Sequence, residues 1–120
     1  MLNIFLSYTL RDNQISVEDL AGFKKKAEIL PGLRIYVDII DNKNRNDPQS
    51  EVYRQLEAAN CVWIVNSASI DASPWAKREI SLAQERKKPV RYLDVETVRA
   101  VANAYSTARV KEFLENYLHD

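Results

Sequence analysis

Histidine, cysteine and glycine are scarce in this 120-residue chain, and each shortage removes a class of chemistry. The only histidine is His119, within the last two residues, so a Ser-His-Asp or Cys-His arrangement would have to draw its base from the end of the chain. The only cysteine, Cys61, has no thiol or imidazole nearby in sequence, so no metal site is expected and no internal disulfide can form. With no basic-then-apolar leader at Met1-Leu2-Asn3-Ile4, the expected setting is reducing and cytoplasmic. Gly22 and Gly32 are the only glycines and neither follows the first apolar run, which excludes a dinucleotide loop and a P-loop. No apolar run nears the roughly 20 residues of a membrane span. The 17 basic and 17 acidic residues give a formal net charge of +0, which argues against nucleic acid or an anionic membrane as a partner. What remains is acid chemistry resting on carboxylates.

Hydrophobic residues make up 46% of the chain and charged residues 28%, a globular balance, and the length fits one domain over residues 1–120. Leu2-Asn3-Ile4-Phe5-Leu6-Ser7 is apolar with little alternation, the pattern of a central strand covered on both faces. After the polar stretch Tyr8 to Asn13, Ser16 with Asp19 predicts a capping box opening a helix over about residues 17–29. Leu20, Phe23, Ala27 and Leu30 form its buried stripe, and Lys24, Lys25 and Lys26 its solvated side. Pro31-Gly32 then turns the chain into a strand over 33–40, whose alternation at Arg34 and Tyr36 suggests an edge.

Asp41 to Asp47 reads as a polar loop, and Asp47-Pro48 as a cap and first residue of a second helix, with Val52, Leu56 and Ala59 inward. Cys61 to Ser67 is the most strand-like segment, again apolar enough to be covered on both faces. A third helix starts at Ser73-Pro74 and runs to about Lys87, with Ala76, Ile80 and Ala83 facing the sheet, and Val90 to Val95 supplies a fourth strand. Val98, Val101 and Tyr105 fit a helix better than a short edge strand. Val110, Phe113, Leu114, Tyr117 and Leu118 mark an amphipathic terminal helix. Alternating strands and helices predict an α/β fold: a flavodoxin-like three-layer sandwich around a parallel sheet of four or five strands, with right-handed crossovers.

In such sheets the ligand crevice lies beyond the carboxyl ends of the strands, beside the first. That rim is Ser7 to Asp12, Asp38 to Asp47, Asn66 to Ser73 and the start of the third helix. Trp75 and Glu79, four residues apart on that helix, share a face there, which sets an indole beside a carboxylate. Taken alone, the pair also fits a packing aromatic and an early-helix acid favoured by the macrodipole. Tyr8-Thr9-Leu10-Arg11 is too bulky for a flavin-phosphate loop, and Asn66-Ser67 replaces the aspartate that a phosphoacceptor receiver would need.

Two stretches together carry a resemblance: Phe5-Leu6-Ser7-Tyr8 with Arg11-Asp12 after the first strand, and Ser73-Pro74-Trp75 with Glu79 opening the third helix. They resemble the F-[IL]-S-[YH] opening and the Ser-x-Trp-x-x-x-Glu pattern of the Toll/interleukin-1 receptor (TIR) domain in its short bacterial form. Lys88-Pro89 before the fourth strand fits as well, and the order of elements agrees over roughly residues 2–95. The resemblance implies cleavage of NAD at the nicotinamide–ribose bond, with NAD as substrate and no cofactor, and Glu79 as the catalytic glutamate. Nicotinamide leaves as a neutral base, so no general acid is needed, and one fixed anion can stabilise the oxocarbenium-like ribose.

By the same resemblance Trp75 offers a face for a substrate ring, and Ser7, Tyr8 and Arg11 hold ribose or phosphate oxygens. Asp38 and Ser73, on the same rim, complete the expected binding set. Arg11 equally fits a surface charge paired with Asp12. The Asp38 to Asp47 stretch corresponds to a loop used in TIR self-association, although it lacks the Gly-Pro pair of receptor adaptors. Two other functions suit the same sequence: a non-enzymatic oligomerisation or adaptor module, and a nucleoside deoxyribosyltransferase working at a glycosidic carbon with a glutamate.

Overall fold

The computed structural model describes residues 1–118, so His119, the only histidine, lies outside the described residues. Four strands, β1 (Leu2–Ser7), β2 (Leu33–Val37), β3 (Cys61–Asn66) and β4 (Val90–Asp94), form one parallel sheet in the order β2-β1-β3-β4. The apolar runs of β1 and β3 occupy the two central places, because strands covered on both faces leave no side for water. Helices α1 (Val17–Ala27), α5 (Val95–Ala102) and α6 (Thr107–Leu118) cover one face, packing Leu20, Phe23, Val98, Val101, Val110 and Leu114 on Ile4, Leu6, Trp63 and Leu93. Helices α3 (Pro48–Ala58) and α4 (Pro74–Glu85) cover the other, packing Val52, Leu56, Ala76 and Ala83 on Phe5, Val62 and Ile64. The result is the three-layer α/β sandwich, with four strands and both β2 and β4 at edges.

Local signals fix the helix starts. Ser16 and Asp19 close the reciprocal capping box of α1, at 3.0 Å in both directions. Asp47 caps α3 and Ser73 caps α4, each followed by proline at the first turn, where no N–H is lost. Gly32 turns the chain into β2 at φ +77°, and a Cβ on Gly22 would meet the Cβ of Ala102 at 3.0 Å, so α1 and α5 approach closely at that point.

Four expectations need correction. The second strand stops at Val37, and Asp38–Asp41 forms a single helical turn, α2. Asp41 folds back so that its carboxylate accepts from the Val37 N–H at 2.8 Å, and the Asn42 N–H donates to the Asp38 carbonyl at 3.0 Å. Lys24 is not simply solvated, since it pairs with Glu28 at 2.9 Å and Asp41 at 3.2 Å. The first helix ends at Ala27, because Ile29 and Leu30 donate three residues back in a tightened turn. Tyr105 lies beyond α5 and is exposed. Among the described residues, no helix is long and apolar enough to cross a membrane and no cluster of His, Cys, Asp and Glu could hold a metal ion.

Candidate functional site

Strand alternation decides what Ser7 meets. Phe5 faces the α3/α4 side of the sheet, so Ser7, two residues on and last in β1, faces it too. There it finds α4, whose first turn is anchored by Ser73: the buried Ser73 Oγ accepts the Ala76 N–H at 3.2 Å. One turn further along α4, Glu79 points inward and is only 6% exposed. The Ser7 hydroxyl donates to Glu79 Oε1 at 2.8 Å. No cation pairs with Glu79 among the described residues.

Glu79 faces a small cavity of about 110 Å3 lined by Leu6, Tyr8, Asp38, Trp75 and Glu79. It opens at the carboxyl end of the sheet, where β1 parts from its neighbours on either side, the place such folds use for ligands. Two carboxylates and two aromatic side chains thus share one small space. Its volume suits a single ring, well short of the roughly 300–1,000 Å3 that encloses a drug-sized ligand, so a larger ligand would lie mostly outside it.

Burial pushes the Glu79 carboxyl up to about 7. The Ser7 hydrogen bond opposes that rise, the negative charge of Asp38 adds to it, and the neighbouring Trp75 side chain opposes it. Asp38 is held by neutral donors: its Oδ1 accepts from the Tyr36 hydroxyl at 2.8 Å and from Asn42 Nδ2 at 2.9 Å. Tyr36 in turn stacks on Phe5 at 5.3 Å between ring centres. Tyr8 accepts the Ile39 N–H at 2.9 Å, which leaves its own proton for a ligand oxygen. Burial, only partly offset by that bond, holds the Tyr8 phenol well above its ordinary range, so it stays neutral.

Of the residues singled out in the sequence, Tyr8, Asp38, Trp75 and Glu79 come together around the cavity, and Ser7 supports Glu79 from behind. Ser73 does not reach the cavity wall, being occupied as the helix cap. Arg11 is exposed, absent from the wall, and donates to the Ala72 carbonyl at 3.4 Å. It does not pair with Asp12, whose carboxylate instead accepts the Gln14 N–H at 3.1 Å and the Ser69 N–H at 2.7 Å. Leu6, Tyr36 and Asn42 are additions that sequence reasoning missed. The alternation at Arg34 and Tyr36 suggests only an edge strand, which β2 is, although Tyr36 itself is buried, and nothing local points to Asn42.

Trp75 is 39% exposed, with the Arg78 guanidinium over its ring at 5.8 Å from the centroid. The arrangement can bind a cationic or electron-poor ring between indole and carboxylates, and can stabilise positive charge developing beside Glu79. No model of a known protein family matches the chain, and no curated protein matches its sequence.

Proposed function

We propose that this chain is a TIR-type enzyme that cleaves the nicotinamide–ribose bond of NAD, releasing nicotinamide and ADP-ribose or a cyclic isomer of it. The observation that carries the reading is Glu79: a buried carboxylate with no cationic partner among the described residues, oriented by Ser7 and facing a cavity at the ligand end of the sheet. A structural carboxylate in such a place would normally be neutralised by a cation, because desolvating an unpaired charge is costly. Here burial raises the proton affinity of the carboxyl instead, and a cation supplied by the substrate favours its ionised form.

The chemistry follows from the leaving group. The pyridinium nitrogen takes the electrons of the breaking C–N bond and departs as neutral nicotinamide, so protonation of the leaving group is unnecessary. The ribose carbon becomes cationic, and Glu79 in its ionised form stabilises it before water, or an atom of the adenine, completes the transfer. Trp75 supplies a ring face, Tyr8 a hydroxyl donor, and Asp38 a second negative charge that favours the cationic ground state. We place the reaction in the cytoplasm, as the lone cysteine suggests, and in the bacterial-defence setting that the resemblance implies.

The test is a chromatogram of nucleotides after concentrated protein is incubated with NAD, and in parallel with a deoxynucleoside plus a free base. Nicotinamide and ADP-ribose, linear or cyclic, from wild type but not from Glu79→Ala support the reading. Base exchange on the deoxynucleoside identifies a deoxyribosyltransferase instead. Self-association with neither product identifies a non-enzymatic module.

A further inference from the structure

The two edges of the sheet are finished in opposite ways. The Leu2 N–H donates to the Gly32 carbonyl at 2.6 Å, so Gly32, Arg34 and Tyr36 turn their backbone groups toward β1, while Leu33, Ile35 and Val37 turn theirs outward. Each of those outward N–H groups is taken: Leu33 by the Leu30 carbonyl at 3.3 Å, Ile35 by Glu28 at 2.8 Å and Val37 by Asp41 at 2.8 Å. Lys24 caps the Ile35 carbonyl and ties the two carboxylates together. With every outward N–H taken, this edge offers no donors to another strand.

At the other edge the Val62 N–H donates to the Pro89 carbonyl at 2.9 Å, so Arg91 and Leu93 face β3, and Val90, Tyr92 and Asp94 present their backbone groups outward. Of these, the Asp94 carbonyl is used by the first turn of α5; among the described residues no hydrogen bond reaches the others, and Tyr92 is 50% exposed. After Asp94 the chain enters α5 directly, and no fifth strand covers this edge among the described residues. Charge is polarised along it, with Lys87 at the entry and Asp94 and Glu96 at the exit, while Lys88 is turned away to the Glu57 and Ala59 carbonyls at 2.8 and 2.7 Å.

We propose that β4 pairs antiparallel with β4 of a second copy of this chain about a twofold axis at Tyr92. Tyr92 then lies opposite its own counterpart and exchanges two hydrogen bonds with it, and the Asp94 N–H of each strand donates to the Val90 carbonyl of the other. The lysine end of one copy falls beside the acidic end of the other, on both sides of the axis, an arrangement that only an antiparallel identical partner provides. A five-residue ladder is a small interface, so the dimer is weak and concentration-dependent. This inference stands apart from the enzymatic reading.

Sedimentation of the full chain over a concentration series tests it. Wild type is expected to show a reversible monomer–dimer equilibrium. Tyr92→Lys, which places a charge on the edge, and Tyr92→Pro, which removes an outward N–H without touching the ladder to β3, are both expected to give monomer with retained circular dichroism. Lys87→Glu and Glu96→Lys each set like charges together twice and weaken the dimer roughly tenfold. An equimolar mixture of these two variants restores every opposite-charge contact and with it the wild-type affinity. A wild type that stays monomeric at the highest soluble concentration, a dimer indifferent to Tyr92→Lys, or a mixture no tighter than the separate variants overturns the proposal.

Discussion

Glu79 and Asp38 face the same cavity yet are held in opposite ways. Asp38 sits half-buried at the start of a helical turn, with the Tyr36 hydroxyl and the Asn42 amide both on Oδ1. Glu79 is buried on a longer helix, oriented by Ser7, and pushed up to about 7 with burial as the main cause and Asp38 as a contributor. The difference teaches that a site can hold one acid as a fixed field and the other as the responsive group. Desolvation makes Glu79 sensitive to any cation brought beside it, because the incoming charge replaces the lost water.

The largest expected effect comes from removing the responsive acid. Glu79→Gln should lower nicotinamide release by at least about a thousandfold, the scale of losing a transition-state charge contact. The same substitution should raise stability, and the sign is fixed by the titration. In the folded chain Glu79 keeps its proton up to about 7, against 4.5 for an ordinary glutamate. The stability this proton contributes is therefore fully present below about 4.5 and is lost as pH rises through 7. At pH about 8 the neutral glutamine should be more stable by on the order of 3 kcal/mol, or about 10 °C in Tm, and by nearly nothing at pH about 4. Calorimetry at the two pH values checks this.

Next comes the pH profile of the wild type. With the ionised form of Glu79 as the active one, kcat/KM should rise with pH and level off above about 7. Asp38→Asn removes a charge that raises Glu79, so the rise should move toward lower pH while the plateau falls about tenfold, as part of the field on the cationic substrate is lost. Ser7→Ala removes a donor that favours the carboxylate and should move the rise toward higher pH, with a loss of about 1–3 kcal/mol in transition-state stabilisation. Opposite displacements from Asp38→Asn and Ser7→Ala would sharpen the contrast, whereas displacements of the same sign would break it.

Tyr36→Phe should have the smallest effect. It takes one of the two neutral donors from Asp38 and should change kcat/KM only a few-fold, leaving the midpoint of the pH profile in place.

Much of this was legible in the sequence because the signals are local. The Ser16–Asp19 box, the Asp47-Pro48 and Ser73-Pro74 starts and the apolar runs of β1 and β3 each act within one turn or one strand. Four-residue spacing also put Trp75 and Glu79 together. What the sequence hid depends on partners far along the chain. Asp38-Ile39-Ile40 looks extended by composition, and only the return of Asp41 onto the Val37 N–H makes it a turn. Lys24 looks like surface charge until β2 is laid beside α1. Arg11 and Ser73 were plausible ligand contacts on a linear rim, but Ser73 is used by its own helix and the Arg11 side chain reaches the Ala72 carbonyl. The sealed and open edges of the sheet follow from the same kind of tertiary pairing.

The most direct measurement is a carbon-13 NMR titration of the Glu79 carboxyl, assigned by its loss in Glu79→Gln, run alone, with NAD and with its reduced form. The account predicts a midpoint near 7 in the free protein, a clear fall when the cationic pyridinium of NAD is present, and little change with the uncharged dihydropyridine. A midpoint in the ordinary glutamate range, or one that NAD leaves where it was, would contradict it.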